Sequence, residues 1–159
     1  LLKSGKQYPV GKEMFLLNYR KQIKVVNSCM MFRKSVHVDN GLYFTQHHPS
    51  ISVDWTYVLR FSLVSKIVGI SKILVRLDRR ANRDSVTSNH SKQFRASREL
   101  IKNFYYEFPE LISQEDFRYA MNTQRNLELG HLAGLKFFIV GVFYWIRFQD
   151  RRFLKKVLN

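Results

Sequence analysis

The carboxylate best placed to do chemistry is Asp54. It follows a polar loop containing His47-His48-Pro49-Ser50 and opens the run Asp54 to Ser65, DWTYVLRFSLVS. At a helix start, a carboxylate can accept from unpaired backbone N–H groups and meet the positive end of the helix dipole, which is capping. The same position can also present a general base to a substrate hydroxyl. The two roles are compatible. A second candidate is the loop Arg79 to Thr87, RRANRDSVT. Its cations and the hydroxyls of Ser85 and Thr87 can hold phosphate oxygens, or the segment is simply a solvated surface loop.

Other chemistries find little support. Adjacent side chains point apart on a strand or a helix, and no carboxylate stands at metal-ligand spacing from His47-His48, so a loop without ligand role is expected there. Cys29 is the single cysteine, which excludes a disulfide framework and a cysteine-based zinc site. It stands in an apolar stretch and reads as a buried, inert thiol. The seven glycines are scattered, with no phosphate-cradling loop. Neither a serine nucleophile elbow nor a zincin motif is present.

The elements that must position these residues follow from periodicity. Residues 1–22 read as an irregular entry with a short helix. Ile23 to Arg33, IKVVNSCMMFR, starts β-branched and reads as a buried strand. Asp39-Asn40-Gly41 signals a turn. The Asp54 segment places Trp55, Val58, Leu59, Ser62 and Leu63 on one helical face. Lys66 to Arg76, KIVGISKILVR, reads as one or two short strands. Lys92 to Phe108 places Phe94, Ser97, Ile101, Phe104, Tyr105 and Phe108 at helical spacing, and Pro109 ends it. Ser113, with Asp116 three residues on, caps a further helix to about Leu129, with Gly130 as C-cap. His131 to Lys156 is the last helix, broken or continuous near Gly134.

The chain has 159 residues, about one domain. It is 45% hydrophobic and 14% aromatic, enough for a core and contrary to disorder. It carries 27 Lys+Arg against 12 Asp+Glu, a net +15. The charge is spread rather than gathered in a basic tail. Such a field attracts nucleic acid, an anionic membrane surface or a phosphate-bearing substrate. The first residue is Leu1 and no signal-peptide pattern follows it, so a fragment of a longer chain is expected.

Between Lys136 and Arg147 stand ten uncharged residues, FFIVGVFYWI. At about 1.5 Å per residue these cover roughly half of a bilayer core, too little to span. Phe137, Phe138, Phe143, Tyr144, Trp145 and Phe148, followed by Arg151, Arg152, Lys155 and Lys156, suit a helix lying in a membrane interface. They equally suit a core helix of a C-terminal bundle.

Residues 23–90 resemble the second half of the catalytic domain of bacterial family 2 glycosyltransferases, GT-A enzymes that build cell-surface polysaccharides. Asn27 to Lys34, NSCMMFRK, is similar to the family's strand of small and apolar residues followed by a basic pair. Gly41-Leu42-Tyr43-Phe44 resembles the segment that follows it. Val53-Asp54-Trp55, leading into Val58-Leu59-Arg60, is similar to the family's acidic–Asp–aromatic motif and its helix. Ile73-Leu74-Val75 and Arg80 to Thr87 resemble its late strand and its R-x-H-x-x-S-x-S loop. Two positions depart: Val53 replaces the usual acidic residue and Asn82 the usual His.

The resemblance implies an α/β fold: a partial GT-A (Rossmann-like) domain over residues 1–90, without its N-terminal nucleotide-binding half, then a helical C-terminal extension over 91–159. It implies an inverting transfer by the whole enzyme from a nucleotide sugar to a glycan or lipid-linked acceptor, with Asp54 as base and Trp55 lining the acceptor site, and no turnover by these residues alone. Arg80, Asn82, Ser85 and Thr87 would lie on the loop over the donor's diphosphate. A divalent metal, Mg or Mn, is expected for the whole enzyme and none for these residues, which lack the family's Asp-x-Asp. The expected location is cytoplasmic, peripheral at the inner face of the cell membrane. The alternative is a basic nucleic-acid-binding or membrane-peripheral protein without enzymatic activity; no specific nucleic-acid motif supports its first form.

Overall fold

The computed structural model describes residues 8–23, 29–42, 53–70, 75–76 and 90–158. Among them run seven α-helices: α1 (Lys12–Lys21), α2 (Lys34–Asp39), α3 (Val53–Val64), α4 (His90–Glu107), α5 (Gln114–Leu129), α6 (Gly134–Phe148) and α7 (Arg151–Leu158). The described residues contain no strand. The expected α/β, partial GT-A architecture is therefore corrected to an all-helical one. The physical reason lies in what a strand needs. Its N–H and C=O groups must pair with a neighbour, and a short apolar run alone does not say whether a neighbour exists. Residues 29–33, the end of the predicted first strand, lead directly into α2, and residues 66–70 and 75–76 of the predicted second strand are also outside any strand. Cys29 is exposed rather than buried, a second correction with the same origin.

Helix α5 begins where local chemistry demands. Ser113 Oγ accepts from the Asp116 N–H at 3.1 Å, and Asp116 Oδ2 accepts from the Ser113 N–H at 3.1 Å. This reciprocal capping box satisfies two otherwise unpaired donors. Pro109 follows α4 and cannot extend it, and the chain turns through Phe108–Ile112 on backbone hydrogen bonds before Ser113.

One core draws on four helices. Phe15 and Tyr19 of α1, Leu59 of α3, Ile101 and Phe104 of α4, Ile112, and Ala120 and Met121 of α5 are buried together. Full burial of one large apolar side chain contributes about 1.5–3 kcal/mol, so this cluster is the main reason that α1, α3, α4 and α5 pack. Tyr19 brings a hydroxyl into it and satisfies it by donating to the Ile101 carbonyl at 2.8 Å. Helix α3 is covered on a second side as well. Tyr57 and Phe61 pack with Leu42, Met30 and Val36, a wider buried surface than the stripe at Trp55, Val58, Leu59, Ser62 and Leu63 implies.

The last predicted helix is two. Helix α6 starts at Gly134, whose φ of +56° suits glycine, and ends at Phe148. Gln149 turns the chain with φ +51°. Asp150 then caps α7, its carboxylate accepting from the Arg152 N–H at 2.9 Å. Helix α7 folds back on α6 and approaches closely at Gly141, where an added Cβ would overlap Val157.

Candidate functional site

Asp54 stands in the first turn of α3, exposed. The residues after it hold the turn still. Trp55 is half-buried against the core and donates from Nε1 to Asn18 Oδ1 of α1 at 3.3 Å. Thr56, Tyr57, Val58 and Leu59 are buried. Arg60 Nη2 reaches both carboxylate oxygens of Glu107 in α4, at 2.7 and 2.8 Å, while its guanidinium lies over the Phe104 ring at 5.2 Å. The helix thus fixes the backbone that carries the carboxylate, which is what a proton acceptor requires.

The neighbourhood has further polar features. Asn18 is fully buried, and its Nδ2 has no hydrogen-bond partner among the described residues. Tyr57 Oη and His37 Nδ1 lie 3.0 Å apart, beside Phe32 and Phe61, whose rings pack on Tyr57 at 5.5 and 5.8 Å. Burial pushes the Tyr57 hydroxyl above its ordinary pKa, so at neutral pH it stays a neutral hydrogen-bonding group.

Asp54 and Trp55 are thus adjacent on one anchored turn. Arg80, Asn82, Ser85 and Thr87, the expected diphosphate loop, lie outside the described residues, as do His47 and His48. The described residues include no cluster of three or more His, Cys, Asp or Glu able to hold a metal ion. The divalent metal that the resemblance implies belongs to the whole enzyme, and no chemical step here is assigned to it.

A second polar cluster has no counterpart in the sequence reading. Tyr119 of α5 receives a hydrogen bond from Lys21 Nζ, and its ring faces Arg152 at 4.0 Å, Arg20 at 4.8 Å and Lys21 at 5.0 Å. The Lys21 hydrogen bond lowers the Tyr119 hydroxyl below its ordinary pKa, against the effect of burial, and the charges of Arg152, Lys21 and Arg20 add to it. Two carboxylates balance the cations: Asp116 pairs with Arg20 at 3.4 Å and Asp150 with Arg152 at 2.6 Å. The groove beside the ring is lined by Pro9, Glu13, Leu16, Leu17, Arg20 and Lys21. Of this cluster only Asp116 carried a local signal, through its spacing from Ser113. Lys21 reaches Tyr119 from 98 positions away, with Arg20 beside it in sequence, and Arg152 from 33.

No family model matches the chain, and no curated protein or solved structure matches it.

Proposed function

We propose that this chain supplies the base and part of the acceptor wall for an inverting glycosyl transfer. The observation that carries the proposal is the placement of Asp54: an exposed carboxylate on the first turn of a helix locked into the core, with an anchored tryptophan next to it. The order and spacing of the motifs from Asn27 to Thr87 support the same reading. The all-helical arrangement narrows it. The described residues contain no nucleotide-binding sheet, so donor binding is not assigned to them.

In the proposed step the Asp54 carboxylate takes the proton of an acceptor hydroxyl. The acceptor oxygen then forms a bond to the donor's anomeric carbon from the face opposite the leaving group. The bond from that carbon to the diphosphate oxygen breaks, and its electron pair leaves with the diphosphate, so the configuration inverts. Trp55 would offer the flat apolar face against which a sugar ring stacks. The test has two arms, acceptor binding on this chain and transfer on the whole enzyme that the resemblance implies. Saturation-transfer NMR with a panel of bacterial oligosaccharides reads acceptor binding, which Trp55→Ala should weaken. Release of nucleoside diphosphate from a panel of nucleotide sugars, with the same acceptors, reads transfer. Absence of binding and of turnover across both panels refutes the proposal.

A further inference from the structure

Among the described residues nothing covers the outer face of α6. Leu135, Phe138, Ile139, Phe143 and Ile146 recur at helical spacing and are exposed, from 52% at Phe138 to 74% at Leu135, and Trp145 stands at their edge. The opposite face is already committed. Gly141 meets Val157 and Leu129, Tyr144 packs on Phe153 at 5.3 Å, and the Arg125 guanidinium lies 3.9 Å from the Phe148 ring centre. Helix α6 therefore has one face bound to α5 and α7 and an apolar one turned outward. A patch of several large side chains on one stripe marks a binding surface rather than scattered exposure.

The charges around the stripe identify its occupant. Residues 130–158 carry Lys136, Arg147, Arg151, Arg152, Lys155 and Lys156 against the single acid Asp150, and that acid is paired with Arg152 at 2.6 Å. Lys136 and Arg147 are exposed near the two ends of α6. They lie eleven positions apart, about 16 Å along the axis and on the same side. Arg151 and Lys155 of α7 are exposed as well and add to the positive field of this end of the chain rather than to the border of the stripe. A second copy on this face would set like charges together: antiparallel pairing brings Lys136 toward Arg147, and parallel pairing brings each toward itself. A layer of lipid acyl chains beneath anionic headgroups matches both the apolar stripe and its cationic border.

We propose that the outer face of α6 docks in the plane of an anionic membrane surface, with Leu135, Phe138, Ile139, Phe143 and Ile146 among the upper acyl chains and Lys136 and Arg147 at the headgroups. The helix lies flat. Its 15 residues measure about 22 Å, short of the roughly 30 Å hydrocarbon core, and no helix among the described residues is long and apolar enough to cross a membrane. The inference uses none of the residues assigned to glycosyl transfer and stands or falls apart from it.

The test is sedimentation of the full chain with phosphatidylcholine vesicles, with and without about a third phosphatidylglycerol. Trp145 fluorescence is followed alongside with brominated lipid as quencher and Trp145→Phe as blank. The account expects saturable binding only to the anionic vesicles, with Trp145 quenched. The paired substitutions Ile139→Ser and Phe143→Ser keep the net charge and fall on exposed positions, so the fold is retained. They should weaken binding at least about tenfold, given the apolar area removed. Binding of this variant equal to the parent means that net charge alone attracts the chain, and overturns the proposal. So does equal binding to neutral vesicles, absence of binding, or a lipid-free dimer that the paired substitutions dissociate.

Discussion

Gly141→Ala should destabilise the protein although alanine is the better helix former. In an isolated helix the exchange gains about 1 kcal/mol. Here the new Cβ overlaps the Cγ2 of Val157 and stands 3.4 Å from Leu129 Cδ2. Val157 is β-branched and stiff at χ1, so it cannot simply rotate aside, and overpacking of this kind costs about 1–3 kcal/mol. The two effects leave a net loss of about 1 kcal/mol. The sign should reverse once the obstacle is removed. In a Val157→Ala background the same Gly141→Ala exchange should stabilise by up to about 1 kcal/mol, because the methyl fills the space that the valine vacated. The assay is urea unfolding of the four proteins of this double-mutant cycle, read by far-UV circular dichroism with a common m-value. If Gly141→Ala stabilises the parent protein, α6 and α7 do not approach as closely as described, and the outward turn of the α6 apolar face loses its explanation.

Other outcomes follow from particular contacts. Ser113→Ala removes the capping box of α5 and should cost about 1 kcal/mol in the same unfolding assay. Tyr19→Phe leaves the buried Ile101 carbonyl without its 2.8 Å donor and should cost about 1–2 kcal/mol. Asp150 gives a pH dependence. Burial raises its pKa, but hydrogen bonds and charge from Arg152, with a hydrogen bond from Asn122, outweigh this and hold it below the ordinary carboxylate value. A depressed folded pKa contributes stability that is fully present above the unfolded value of about 3.9 and is lost as pH falls through the lower folded value. Asp150→Asn should therefore lower stability at pH 7 and flatten the acid limb of the stability–pH curve, measured by urea midpoints at successive pH values.

What could be read from the chain was local. Ser113 and Asp116 mark the start of α5 because a capping box needs only four residues. Pro109 and the Phe94–Phe108 spacing mark α4, and the Asp54–Ser65 pattern marks α3, each within one segment. The strands expected at Ile23–Arg33 and Lys66–Arg76 depended on partners that no local pattern reveals, and the α/β expectation failed with them. Helix α2 is six residues long and buries none of them, so it has no apolar stripe to read. The break between α6 and α7 falls at Gln149–Asp150 and not at the glycine, because an Asp that caps a following helix looks in sequence like any polar residue of a surface. At the candidate site, Asp54 and Trp55 were legible as neighbours at a helix start. Their anchoring through Asn18, Arg60 and Glu107 was not, since those contacts join residues 37 and 47 positions apart. The cations around Tyr119 are a purely tertiary feature for the same reason.

The most direct test of the proposed chemistry is a single conservative substitution. Asp54→Asn, made in the whole enzyme that the resemblance implies, keeps the size and shape of the side chain on the first turn of α3 and removes its ability to take a proton. Melting temperature and acceptor binding should match the parent protein, while the rate of nucleoside diphosphate release in the presence of acceptor should fall about 10²–10⁴-fold, the usual contribution of a general base. An unchanged rate in a protein that still binds acceptor would show that Asp54 takes no proton in the reaction, and glycosyl transfer by this carboxylate would be contradicted.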